Sequence, residues 1–330
     1  MHIDNARELK ARLTSGAVRA SSLPAPAGVA SVGISVLPRG SGDGPRYGLA
    51  VRYSGRRGEL LAEGARRLAA DTAGDEVDIR EIGLVTALSA PTEPGTWAPE
   101  ALQRKVRPLH PGLSTAQRDV TAGTLGGFVT VEGSDGLYVL SNNHVLADSD
   151  QAALDDPVLQ PGPHDGGRAG DRVGRLARAV PLEAGGGNAV DAALALLDGD
   201  VAASPADVDL TYPGGRLRGW AEPDDEVVVE KVGRTTGWTR GRISAIELDD
   251  VAVQYPVGVV GFDGQVEVTG ERGAFSAGGD SGSLVFRPDT RQAVGLLFAG
   301  SERGGPGGAG LTFCNPIGLV LTALGATLVV

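Results

Sequence analysis

The stretch GGDSGSLVF, residues 278–286, places two glycines, an acid and a serine directly before an apolar run. A short apolar run after a glycine turn reads as a β-strand. A plain turn accounts for the glycines. So does a serine nucleophile whose loop aims two backbone amides at a developing oxyanion. Such a loop needs φ values that glycine tolerates and other residues resist. The rest of the sequence decides between the two.

A serine that transfers acyl groups needs a base for its proton and an acid that orients the base. The chain has four histidines. His2 lies among the first residues, His110 in the proline-flanked RPLHPG, and His164 in the turn-rich QPGPHDGG. Only His144, in YVLSNNHVLAD, follows an apolar strand, where a sheet can hold an imidazole at the edge of a cleft. Asp191 lies within NAVDAALALL, and an ionised carboxylate in such an apolar run is costly unless it is paired. The α/β-hydrolase elbow is excluded: Ser283 stands where its last glycine belongs, and no histidine follows Ser281.

Around these residues the chain is a series of short apolar runs. TLGGFVTV, LYVLSN, DRVGRLARAV, VDAALALL, EVVVEKVG, RISAIEL, VAVQY, QVEVTG, SLVF and AVGLLF alternate with Gly, Asp and Pro turns. Glycine totals 51 of 330 residues with no collagen-like period, about twice the usual share of roughly 7%. The pattern predicts a closed antiparallel sheet system, and about 200 residues suit two six-stranded barrels.

With these residues in view, positions of about 121–325 resemble the trypsin-like, chymotrypsin-fold serine peptidases. GGDSGSLVF is similar to that family's nucleophile loop, LSNNHVLA to its histidine segment and AVDAALALL to its aspartate strand. VGRTTGWTRGRI (232–243) resembles its second-barrel hairpin, AVGLLFAGS (293–301) its cleft-lining strand, and FCNPIGLVLTALG (313–325) its closing helix. The family's order His, Asp, Ser, separated by about 45 and 93 residues, is matched in kind by His144, Asp191 and Ser281. The resemblance implies two six-stranded antiparallel β-barrels with a C-terminal helix, and peptide-bond hydrolysis through an acyl-enzyme. It implies Ser281 as nucleophile, His144 as base and then acid, Asp191 as orienting acid, and the amides of Gly279 and Ser281 as oxyanion hole. No cofactor or metal is implied, and the partner is a protein or peptide substrate.

Three departures carry expectations. A single cysteine, Cys314, excludes intrachain cystines and suits a reducing compartment. Many members pair a newly cut N-terminal ammonium with the acid beside the nucleophile, here Asp280. Some 120 residues precede the first barrel, so Asp280 needs another partner, an arginine or local amides. The uncut chain is favoured over cleavage near Arg118. Six residues before Ser281 stands Phe275, where trypsin-type members carry an acid. With Leu297, Phe298, Ala299 and Gly300 as cleft wall, the resemblance implies a preference for uncharged side chains.

Residues 1–105 read as a small α+β domain and linker, and residues 106–330 as the double-barrel catalytic domain. Helices are expected over 3–14 and 58–71, and strands over 29–37, 47–54 and 76–88, followed by a proline-rich connection over 89–101. Residues 1–110 carry 15 basic and 12 acidic side chains, residues 111–330 carry 15 and 29. A mildly basic front that docks on an acidic back, as a regulatory or recognition unit, fits that asymmetry. A net charge of −11 without a basic stripe argues against nucleic acid. No long apolar stretch and no apolar leader appear, so neither membrane nor export is expected, and the cytoplasm is. The alternative function is a catalytically silent binding or scaffolding protein on the same fold.

Overall fold

The computed structural model describes residues 1–16, 30–37, 45–72, 76–86, 97–204, 212–223 and 227–330. The chain opens with helix α1 (Ile3–Gly16), strands β1 (Ala30–Leu37) and β2 (Arg46–Tyr53), helix α2 (Gly55–Thr72) and strand β3 (Val77–Glu81). β1 and β2 are antiparallel, and the α2 crossover brings β3 parallel to β2. Leu9, Leu13 and Ala65 of the helices pack on Val32, Leu49 and Val51 of the sheet. The single strand expected over 76–88 is instead two. Gly83, at φ +66°, turns the chain after β3, and β4 (Val85–Thr86) leaves for different neighbours. Of the connection expected over 89–101, residues 89–96 lie outside the described residues. Pro99–Leu102 forms a helical turn, α3, with proline at its start, where a missing N–H costs nothing.

The first barrel is built from β5 (Ser114–Gln117), β6 (Gly123–Thr124), β7 (Gly127–Val131), β8 (Tyr138–Ser141), β9 (Pro157–Leu159), β10 (Arg172–Ala179) and β11 (Ala193–Leu197). Helix α4 (Asn143–Leu146) follows β8. The ladder runs β7–β8–β11–β10–β9–β5. It closes because β6 and β7 form nearly one strand, and the Leu125 amide between them donates to Leu113 O at 2.8 Å. Leu125, Val129, Val139, Leu140, Val158, Val173, Leu176 and Leu194 belong to one buried apolar cluster on and around this sheet.

The second barrel takes β12 (Val228–Gly233), β13 (Gly237–Asp249), β16 (Gln265–Gly270), β17 (Leu284–Phe286), β18 (Ala293–Gly304) and β19 (Gly310–Pro316); the hairpin β14 (Val251–Tyr255) and β15 (Gly258–Phe262) projects between β13 and β16. β12 pairs β13, β13 pairs β16, β16 pairs β19, β19 pairs β18, β18 pairs β17, and β17 returns to β12. The ring closes on itself, and the parts of β13 and β18 that run beyond it are taken by β1 and β4. Helix α5 (Ile317–Leu324) and strand β20 (Ala326–Leu328) carry the chain back to the first barrel, where β20 pairs β7. The fold is thus mainly β: two six-stranded antiparallel barrels with a C-terminal helix.

The front of the chain is joined to the second barrel by backbone as well as charge. β1 pairs β13, with Ile34 opposite Ile246 and Ser35 opposite Ala245. Arg52 of β2, fully buried, donates to both oxygens of Glu267 on β16 at 2.6 and 2.9 Å. Arg7 pairs Glu247 and Lys10 pairs Asp249 at the rim. Rim pairs contribute little each, so the ladder is the stronger joint, while the buried arginine must keep its partners because loss of one strands a buried charge. Among the described residues no helix is long and apolar enough to cross a membrane.

Candidate active site

Ser281 sits in the loop between β16 and β17, and the loop is held by the acid beside it. Asp280 Oδ1 accepts the amides of Thr235 and Thr236 at 2.9 and 3.1 Å, and Oδ2 accepts the Ala277 amide at 2.9 Å and the Thr236 hydroxyl at 2.6 Å. Lys231 Nζ lies 3.2 Å from Oδ2. The partner expected for Asp280 is therefore a lysine of β12 together with local amides, not an arginine. Gly279 and Gly282 have φ of +88° and +95°. A Cβ at Gly282 would also lie 2.1 Å from Ser141 Oγ, so both conformation and space demand glycine. Among the described residues neither the Gly279 nor the Ser281 amide donates a hydrogen bond.

His144 enters from the first barrel on α4. This helix is fixed by a reciprocal lock: Asn143 Nδ2 donates to Asp150 Oδ1 at 2.6 Å, and the Asp150 amide donates to Asn143 Oδ1 at 3.1 Å. Between them Asp148, Ser149 and Asp150 all have positive φ, a left-handed turn that costs each non-glycine residue about 1–2 kcal/mol. The imidazole Nδ1 is 2.5 Å from Asp191 Oδ2, and the His144 amide donates to Asp191 Oδ1 at 3.2 Å. Asp191 is fully buried just before β11. Its backbone is gripped on both sides, by Asn142 Nδ2 on its carbonyl at 2.7 Å and by Asn315 Oδ1 on its amide at 3.0 Å. A carboxylate on Nδ1 places the proton there and leaves Nε2 as the acceptor.

The barrels meet at Gly123 and Thr124. The Thr124 amide donates to Ser281 O at 2.8 Å, and its hydroxyl donates to Gly279 O at 2.8 Å. A Cβ on Gly123 would strike Val145 and crowd Ser281 O, so the serine loop and the histidine helix both come close to this one residue. The Ser281 hydroxyl donates to Phe298 O at 3.3 Å; among the described residues it makes no hydrogen bond to His144. Arg234, on the loop after β12, pairs with Asp165 of the first barrel and bridges the two lobes beside Gly279.

The residues expected along the cleft contribute mainly backbone. Phe275 is fully buried in the second-barrel core with Val229, Val268 and Leu297, and its carbonyl accepts the Thr239 hydroxyl at 2.7 Å. Phe298 packs on Phe262 with ring centres 4.8 Å apart, and Ala299 is buried in the same cluster. Gly300 lies opposite Thr86, and Ser301 opposite Val85, in an antiparallel ladder between β18 and β4. A strand from the front of the chain thus lies along the edge that the resemblance assigns to substrate.

Solved bacterial serine proteases are similar to this chain. Protease A of Thermobifida fusca is 20% identical, with a TM-score of 0.47, over 67% of this chain and 99% of its own. A glutamic-acid-specific serine protease is 22% identical, with a TM-score of 0.46, over 67% of this chain and 100% of its own. The chymotrypsin of Cellulomonas bogoriensis is 22% identical, with a TM-score of 0.43, over 67% and 98%. No protein-family model and no curated protein matches the chain.

Three neighbours of the site carried no motif in the sequence. Lys231 compensates Asp280, Asn315 holds the Asp191 backbone, and Tyr255 OH donates to Asp191 Oδ2 at 2.7 Å. Lys231 alone left a sign, as a lone cation within the apolar EVVVEKVG.

Proposed function

We propose that the chain is a serine endopeptidase. The observation that carries this reading is the 2.5 Å contact between His144 Nδ1 and a buried Asp191, set beside a glycine-flanked serine with two uncommitted amides. Ser281 Oγ turns from Phe298 O toward His144, gives its proton to Nε2, and forms a bond to the substrate carbonyl carbon. The carbonyl oxygen becomes an oxyanion that the Gly279 and Ser281 amides receive, each donor contributing about 3–4 kcal/mol in comparable sites. His144 then returns the proton to the leaving amine as the peptide C–N bond breaks. Water repeats the sequence on the acyl-enzyme. Asp191 keeps the imidazole in the tautomer that accepts at Nε2. Position 275 supplies no carboxylate for a basic side chain, its Phe being buried in the second-barrel core, so the reading keeps uncharged side chains before the cleaved bond.

The front of the chain restrains this site in the same reading. β4 pairs with β18 at Gly300 and Ser301, so a peptide that binds as an added strand must displace it.

A fluorophosphonate probe tests the proposal. Labelling of the wild type that is lost in Ser281→Ala, together with hydrolysis of chromogenic peptides having uncharged side chains, is the expected result. A folded wild type that neither labels nor hydrolyses would return the chain to the silent binding or scaffolding reading, which the resting Ser281–Phe298 bond favours.

A further inference from the structure

Among the described residues the Asp191 carboxylate receives three hydrogen bonds, and one comes from the opposite lobe. His144 supplies Nδ1 to Oδ2 and its amide to Oδ1. The third is the hydroxyl of Tyr255, at the end of β14, which donates to Oδ2 at 2.7 Å. The Tyr255 ring stands edge-on to the imidazole, with centres 5.6 Å apart, and leans on Phe262 of β15 at 6.1 Å. Tyr255 is 2% exposed, so water does not compete for that bond. The next chain segment near the serine cannot substitute. Phe298 offers only its carbonyl there, and that carbonyl accepts from Ser281.

We infer that Tyr255 is a positioning residue that fixes the Asp191 carboxylate, and through it the His144 ring, from the second-barrel hairpin. A carboxylate has free rotation about its Cβ–Cγ bond. A donor on the oxygen already shared with the imidazole fixes its plane and takes up part of its charge. Burial and then the Asp191 charge push the Tyr255 phenol well above its ordinary range, so it stays a donor throughout any working pH. Among the described residues, the titratable groups that meet the imidazole by hydrogen bond or ring contact are Asp191, ahead of β11, and Tyr255, on β14.

Tyr255→Phe keeps the ring and deletes the donor. In the full-length chain, the remaining Nδ1–H to Oδ2 bond no longer shares its acceptor. Its proton resonance is expected to move downfield, and incorporation of 3-fluorotyrosine, a stronger donor, to move it upfield. The kinetic arm rests on the peptidase reading. There, Tyr255→Phe is expected to lower kcat about tenfold with KM unchanged, and to move the acid limb of the pH profile about half a unit upward. A structural role alone would lower the melting temperature and leave the proton resonance and the pH profile in place. Unchanged resonances in both substituted proteins would overturn the inference. If Tyr255→Phe does not fold, the fluorotyrosine protein decides it. A wild type without hydrolytic activity would sink the peptidase reading, while the proton resonance would still decide the role of Tyr255.

Discussion

Lys231 Nζ lies 3.2 Å from Asp280 Oδ2, and both side chains are fully buried. Lys231 also donates to the Thr236 hydroxyl and to Gly237 O. The ammonium is thus built into β12 and reaches the acid that shapes the serine loop. Burial pushes the lysine down from its ordinary range, and Asp280 acts against that push. In the peptidase reading, a charge already in place would make a newly cut N-terminus unnecessary for ordering the loop.

Lys231→Met should therefore leave Asp280 buried and unpaired. Loss of one partner of such a pair costs about 3–5 kcal/mol, which a urea unfolding curve will read. Adding Asp280→Asn removes the orphaned charge and should recover part of that stability without recovering fluorophosphonate labelling. The same arrangement predicts that active material keeps its residues before Arg118. N-terminal sequencing that finds a start at Asp119 in all active molecules would contradict it.

Arg52 binds Glu267 with two donors and Asp78 with a third, at 2.8 Å. Burial alone would raise the Asp78 carboxyl, but the Arg52 and Arg80 charges and hydrogen bonds outweigh it and hold the group below its usual range. A depressed folded value means that the stabilisation is present above the unfolded value of about 3.9 and is lost as pH falls through the lower folded one. Protection factors of the β2 and β3 amides against hydrogen exchange should fall in that acid window. Asp78→Asn should remove the pH dependence, and Arg52→Leu should destabilise the joint at neutral pH by about 3–5 kcal/mol through unpaired Glu267. High, pH-independent protection in all three proteins would show that the β1–β13 ladder alone holds the front of the chain.

The parts of this structure that the sequence declares are local. The apolar runs, their turns and the glycines around Ser281 each depend on neighbours a few residues away, and they suffice for two barrels. His144 and Asp191 stood out because a serine nucleophile would ask for a base and an acid and only His144 directly follows an apolar run; the structure shows that the two side chains meet. Tyr255 did not stand out, because it meets Asp191 across 64 residues of sequence and VAVQY satisfies an ordinary strand pattern without it. Arg52 in LAVRYS and Glu267 in QVEVTG each break an apolar run, yet nothing local says that they meet. The break between β3 and β4 was missed for the opposite reason. One glycine in an apolar stretch looks like a tolerated interruption, and only the positive φ of Gly83 makes it a turn.

Thr86 lies opposite Gly300 of β18 on one side and opposite Gln254 of β14 on the other. β4 therefore fills the space between β18 and the hairpin that bears Tyr255. Its hold is short: two residues of ladder, with added bonds from the Glu302 amide to Leu84 O at 3.2 Å and from the Arg303 amide to Ile82 O at 3.4 Å. Proline has no N–H and a fixed φ, so Thr86→Pro should break the ladder at Gly300 while sparing Val85, whose side chain is buried in the second barrel. In the peptidase reading, freed β18 gains a substrate strand, and kcat/KM for an extended peptide should rise about tenfold, mainly through KM. A single-residue chromogenic ester, too short to use the edge, should gain little. Equal gains on both substrates would point to a general loosening of the site, and no gain on either would remove β4 as a restraint.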